Sequence, residues 1–286
     1  MSVAPTARRR QLGSWLRNLR EMKELSPRDA AELIGYSESK IRHQEKGRSV
    51  VKADELRRLL DIYEASTEVR EQLEALRPEA SHRGWWESYR LPTWAAPFIA
   101  FESEAREMLT FEPTLVPGLL QTKEYAYEIH RAGRYLTNPP DIDARVNARM
   151  ERQRRLAEST PLELRAVVTE EVLRRPVGGL SVMRDQLAHL VSMANQQNVL
   201  LQVLPLSAGA YACQSGSLTI LRFDEGEDVA FLESPLGGHV VDERSEVDAC
   251  RYLFDEVRAS SMSTAQSIDL VRSIAEDIAL QEQEKP

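Results

Sequence analysis

Apolar residues recur at helical spacing as far as Leu76, and the alternation of strands sets in only beyond residue 160. Leu12, Trp15, Leu16 and Leu19 stand at i, i+3, i+4 and i+7, predicting one apolar stripe on a helix over Ala7 to Lys23. Ser26-Pro27 restarts the chain, since Ser caps a helix and Pro fits its first position. A second helix, Pro27 to Ile34, turns Ala30, Ala31, Leu33 and Ile34 inward, and Gly35 stops it in the left-handed conformation. Ser37 caps a third helix, Glu38 to Lys46, ended by Gly47. Two short helices joined by a Gly-containing turn are the helix-turn-helix pattern. Lys52 to Glu64, with Leu56, Leu59, Leu60 and Tyr63 inward, and Thr67 to Leu76 complete five helices.

Arg77-Pro78 to Gly84 reads as a linker, placing one domain at 1–78 and a second at 79–286. Three of the four tryptophans follow it at once: Trp85, Trp86 and Trp94, with Tyr89, Phe98 and Phe101. Such a group is a candidate ligand or partner site, with an ordinary core seam as the plainer alternative. The prolines and glycine of Phe111 to Thr122 imply a fixed bend leading into a helix over Thr122 to Ala132. Asp141 to Glu158 reads as a helix rich in arginine (Arg145, Arg149, Arg152, Arg154, Arg155), favouring salt bridges over a second nucleic-acid surface. Strands are expected at Leu162 to Val168, Val199 to Leu204, Ser217 to Phe223, Val229 to Glu233 and His239 to Val241. Between the first two lie a loop over Leu173 to Gly179 and a helix over Ser181 to Asn195; helices over Glu246 to Ala259 and Ser263 to Gln281 close the chain. The fold class is therefore mainly α, a five-helix N-terminal domain followed by a mixed α/β domain with a small, partly antiparallel sheet.

Charge sharpens this division. Residues 1–60 carry 14 Lys and Arg against 8 Asp and Glu, whereas the remainder carries 23 against 37. A basic end on an acidic body points one end alone at polyphosphate. Cys213 and Cys250 form no metal-ligand spacing and read as small buried hydrophobes in a reducing compartment. No apolar run reaches the length of a membrane span and no apolar stretch follows Arg8–Arg10, so a cytoplasmic protein is expected.

The run from Leu16 to Gly47, L-x-x-L-R-x-x-x-x-L-S-x-x-x-A-A-x-L-I-G-Y-S-x-S-K-I-R-H-Q-E-K-G, resembles the XRE (lambda repressor-like) family. The resemblance implies that the third helix enters the major groove of double-stranded DNA. Glu38, Ser39, Arg42 and His43 would then face base edges, with Ser37 at the helix start. Arg28, Lys40, Lys46 and Arg48 would lie near phosphates. An Arg fork suits guanine O6 and N7, and cations and helix N-termini hold phosphates. The resemblance also implies a structural ion pair between Arg20 and Glu45. Two positions depart from it: Pro27 replaces a Gln that contacts phosphate, and Gln44 replaces an apolar core residue.

Further on, Leu115 to Ala126, Arg149-x-x-Arg-Gln, Glu171 to Gly179, Gln186-Leu-x-x-Leu and Val203-Leu-Pro resemble the actinobacterial WhiJ-like regulators. That resemblance implies control of developmental or antibiotic-production genes and a small BldB-like companion protein, in an antitoxin-like arrangement. The expected function is transcriptional regulation, most simply repression, by a homodimer on an inverted-repeat operator. The alternatives are an antitoxin-like protein that sequesters its companion, and a small-molecule sensor using Trp85, Trp86, Tyr89 and Trp94. No catalytic, nucleotide or metal motif stands out. Gly178-Gly179 reads as a turn, and His239 with Asp242 and Glu243 is too sparse for a metal site. No enzyme activity, cofactor or metal is expected.

Overall fold

The computed structural model describes residues 7–81, 85–89, 91–92, 94–133, 139–234 and 237–283. The chain divides into two compact units: residues up to 87 with 96–104 and 223–226, and residues 88–95, 105–222 and 227 onward.

The first unit contains α1 (Ala7–Met22), α2 (Pro27–Ile34), α3 (Glu38–Glu45), α4 (Ala53–Ile62) and α5 (Thr67–Ser81). The caps lie where the sequence places them. Ser26 Oγ accepts the Asp29 N–H and the Asp29 carboxylate accepts the Ser26 N–H, a reciprocal capping box with Pro27 in the first turn. Gly35 ends α2 at φ 77°. Leu12, Leu16, Leu19, Ala30, Ala31, Ile34, Ile41, Leu56, Leu59, Leu60 and Tyr63 form one buried core. Leu33 does not join it: three inward residues fill the buried face of the eight-residue α2, and Leu33 lies 61% exposed. Trp15, expected in the same stripe, is exposed. Residues 77–81, expected in a linker, are helical, with Pro78 inside the end of α5; the rest of that linker, 82–84, lies outside the described residues. The same unit takes in most of α6 (Ala95–Glu104).

The second unit is built on a six-stranded sheet: β1 (Glu107–Glu112), β2 (Glu163–Thr169), β3 (Val199–Leu204), β4 (Leu218–Arg222), β5 (Val229–Ser234) and β6 (Gly237–Val241). Their order is β3-β2-β1-β4-β5-β6. β1, β2 and β3 run parallel, while β4, β5 and β6 add on antiparallel to β1 and to each other. The helices of this unit are α7 (Lys123–Ala132), α8 (Pro139–Gln153), α9 (Glu170–Arg174), α10 (Leu180–Ala194), α11 (Arg244–Ala259) and α12 (Thr264–Gln283). α9 takes the first two residues of the loop expected over Leu173 to Gly179; the rest is non-helical, with Gly178 and Gly179 at φ 73° and 92°.

β1 is the sheet's central strand, and strand pairs alternate their side chains between faces. Leu109 and Phe111 join Val167, Ile220 and Ala230 on the face covered by Val247, Phe254 and Val257 of α11. Thr110 points to the opposite face, where its hydroxyl meets that of Thr219 at 2.9 Å. Glu107 and Glu112 bracket the strand. The Glu107 carboxylate is buried between Arg165 at 2.5 Å and Arg222 at 2.6 Å. Among the described residues Glu112 has no such ion pair, and it ends the strand at the bend that follows.

Among the described residues no helix is long and apolar enough to cross a membrane, and no group of His, Cys, Asp and Glu has metal-binding geometry.

Candidate nucleic-acid interface

α3 carries the residues expected to read bases, and three devices hold it. Ser37 Oγ accepts the Lys40 N–H at 3.3 Å and fixes its first turn. Gly13 of α1 lets the two helices approach closely: a Cβ there would press on the Gln44 and Glu45 carbonyls. In an isolated helix Gly13→Ala would gain roughly 1 kcal/mol. Here the clash with rigid backbone outweighs that gain, and a net loss of about 1–3 kcal/mol is expected in chemical denaturation.

The third device is the Arg20–Glu45 pair. Arg20 Nε and Nη2 donate to the Glu45 carboxylate at 2.6 and 3.0 Å, and Nη1 donates to the Leu25 carbonyl at 2.6 Å. Both side chains are buried. The Glu45 hydrogen bond outweighs desolvation and raises the Arg20 pKa further above its ordinary value. The ion pair implied by resemblance is therefore present, joining α1 to α3.

A polar cluster secures the opposite edge. Gln44 is buried, and its amide donates to Glu55 at 3.1 Å. Glu55 also accepts from Lys40 Nζ at 2.7 Å and from the Lys52 N–H at 3.1 Å. Burial opposes charge on Glu55, but hydrogen bonds from Lys40, the Lys52 N–H and the Tyr36 hydroxyl overcome it and hold its pKa below the ordinary range. The Lys40 ammonium lies 3.4 Å from the centre of the Tyr36 ring. Lys40 thus has a positioning contact beside the phosphate role that resemblance implies. Sequence reasoning did not single out Glu55 or Tyr36; the available signal was a carboxylate in the first turn of α4, where the helix dipole favours one.

The outer side of α3 presents Ser39, Arg42 and His43, all exposed. Arg42 pairs with the half-exposed Glu38 at 2.7 Å. An exposed i,i+4 pair contributes only about 0.3–0.5 kcal/mol, so a base edge can compete for Arg42. Lys46 and Arg48 are exposed just beyond the helix, with no side-chain partner among the described residues. Arg28, on α2, pairs with Glu32 at 3.1 Å. Exposed bases and cations thus border the outer face of a helix locked on its inner face.

Residues 11–73 match the family described as a helix-turn-helix domain, which makes the chain a DNA-binding regulator. Residues 95–273, well over half of the chain, match a second family, described as a domain of unknown function (DUF5753). The chain belongs to the DUF5753 family. Every strand of the sheet lies inside the DUF5753 region. No curated protein and no solved structure matches the chain.

The aromatic residues before the DUF5753 region are shared between the two units. Trp85 and Trp86 belong to the first and meet edge to face at 6.0 Å. Tyr89 and Trp94 belong to the second. Trp94 stacks on Phe231 of the DUF5753 sheet, with centroids 6.1 Å apart, and Gly237 makes room for its ring: a Cβ would stand 2.9 Å from it.

Proposed function

We propose that this DNA-binding regulator is an XRE-type repressor of the WhiJ-like kind, binding an inverted-repeat operator as a homodimer and acting through binding rather than catalysis. The observation that carries the reading is α3, held by Gly13, the Arg20–Glu45 pair and the Glu55 cluster while Ser39, Arg42 and His43 face outward. One such helix reads only a few base pairs, so two-fold pairing with half-sites about one turn apart supplies the missing specificity. The DUF5753 domain serves dimerisation and control by a small companion protein or ligand.

Footprinting of the full-length protein on genomic fragments at stated salt tests this. Discrete palindromic sites are expected. Binding that stays diffuse and falls steeply with salt would refute an autonomous repressor and place the specificity in a companion. Within a mapped site, Arg42→Ala is expected to weaken binding by about 1–3 kcal/mol and relax the preference at one base pair. Lys46→Ala should weaken all sequences alike and reduce the salt slope by about one.

A further inference from the structure

β1 is where the sheet's connections change direction. From β1 the chain crosses to β2 and then β3 on one side, and returns at β4 on the other. Because β4 is antiparallel to β1, its first residue, Leu218, pairs with Phe111 near the carboxyl end of β1. The loops after β1, β2 and β3 therefore gather at one end of the sheet. In open α/β sheets this is where ligands bind.

The loop after β1 is a polar scaffold. Gln121 is buried and donates to the Val116 carbonyl at 2.7 Å, while Arg149 Nη1 donates to Gln121 Oε1 at 2.5 Å. Gln153 donates to the Gln121 carbonyl at 2.7 Å. Gln186 of α10, wholly buried, accepts the Thr122 N–H and donates to the Leu120 carbonyl, each at 2.7 Å. This network holds half-buried Arg149, and Arg152, one turn further along α8 and also half-buried, comes to the same Gly118. A Cβ on Gly118 would stand 3.6–3.7 Å from guanidinium nitrogens of both, so at this position the loop places backbone and no side chain against them.

Beside them, the Glu112 carboxyl makes no hydrogen bond or ion pair among the described residues. It contrasts with Glu107 at the other end of the strand, held by two arginines. Glu112 keeps some accessible surface, yet burial and the charge of Glu233 push its pKa up to about 8, against the pull of Arg149 and Arg152. Phe231, carrying the Trp94 stack, lies two residues from Glu233 on the same face of β5.

We propose that the carboxyl end of β1 forms a binding site for a small organic oxyanion, gripped by Arg149 and Arg152 over Gly118, with the Glu112 carboxyl beside them. Two forked guanidiniums match a carboxylate or phosphate. The site deepens the reading of DUF5753 as a control domain by naming a ligand class, and needs no DNA to be tested.

Thermal unfolding of the full-length protein, without DNA, is measured against inorganic phosphate and against citrate at matched ionic strength, with chloride as reference. The expected result is a saturable rise in Tm with at least one anion. The anion concentration required should rise at least tenfold in Arg152→Gln and in Gly118→Leu, which covers the guanidiniums without removing charge. A response to phosphate alone marks a phosphorylated ligand, and a response to citrate alone a carboxylate. No saturable rise in the native protein, or the same dose dependence in native protein and variants, overturns the site. Either variant decides if the other does not fold. Neither failure touches the operator reading, which footprinting tests separately.

Discussion

Arg20→Ala should destabilise the helical unit by about 3–5 kcal/mol, because it strands the Glu45 carboxylate in a buried position while removing its only ion-pair partner among the described residues. The loss should read out as a lower urea midpoint for α1–α5 with little change in slope. Operator binding should fall with the folded fraction, since Arg20 itself faces no base. The double variant Arg20→Met, Glu45→Leu separates the two contributions. With neither charge left to desolvate, much of the stability should return. If the single variant loses less than about 1 kcal/mol, the pair does not clamp α3 and another contact holds its angle.

The second large effect concerns pH. An unfolded Glu titrates near 4.3, whereas Glu112 in the fold titrates at about 8. Between those values the folded protein retains a proton that the unfolded chain has released. Stability therefore falls as pH rises across that window, by at most about 1.4 kcal/mol per unit. Glu233 deepens the fall, and Arg149 and Arg152 moderate it. Glu112→Gln keeps the shape and has no proton to lose. The variant should match the native protein below about pH 4, and exceed it by a few kcal/mol, or roughly 5–10 °C in Tm, at pH 9. Parallel Tm curves would show Glu112 already ionised at neutral pH.

What could be read from the residues depended on whether the chemistry was local. Ser26, Pro27, Gly35, Ser37 and Thr122 act through bonds within four residues, and the helices they start or stop lie where the sequence places them. β2 and β3 were legible from β-branched, apolar runs. β1 was not. Glu-Met-Leu-Thr-Phe-Glu has no alternation and no turn residue before it, only Pro113 after it, as befits a strand covered on both faces, and periodicity cannot separate such a run from a buried helix. Missing β1 left five strands of the six, without the one that joins the parallel strands to the antiparallel ones, and hid Glu112. The outward residues of α3 came from the resemblance to the XRE family, but the partners of Lys40 and Gln44 did not, because Glu55 comes from another helix.

The place of β1 in the sheet also sets an order of events. Thr110 waits for Thr219, 109 residues further along, before its edge of the strand is closed. Pairings so distant in sequence form slowly, and an unpaired middle strand is a template for any other extended chain. On the ribosome, the newborn protein therefore carries an open seam through its centre until β4 has emerged. A fragment that stops short of Leu218 is left with that seam exposed rather than with a smaller complete domain.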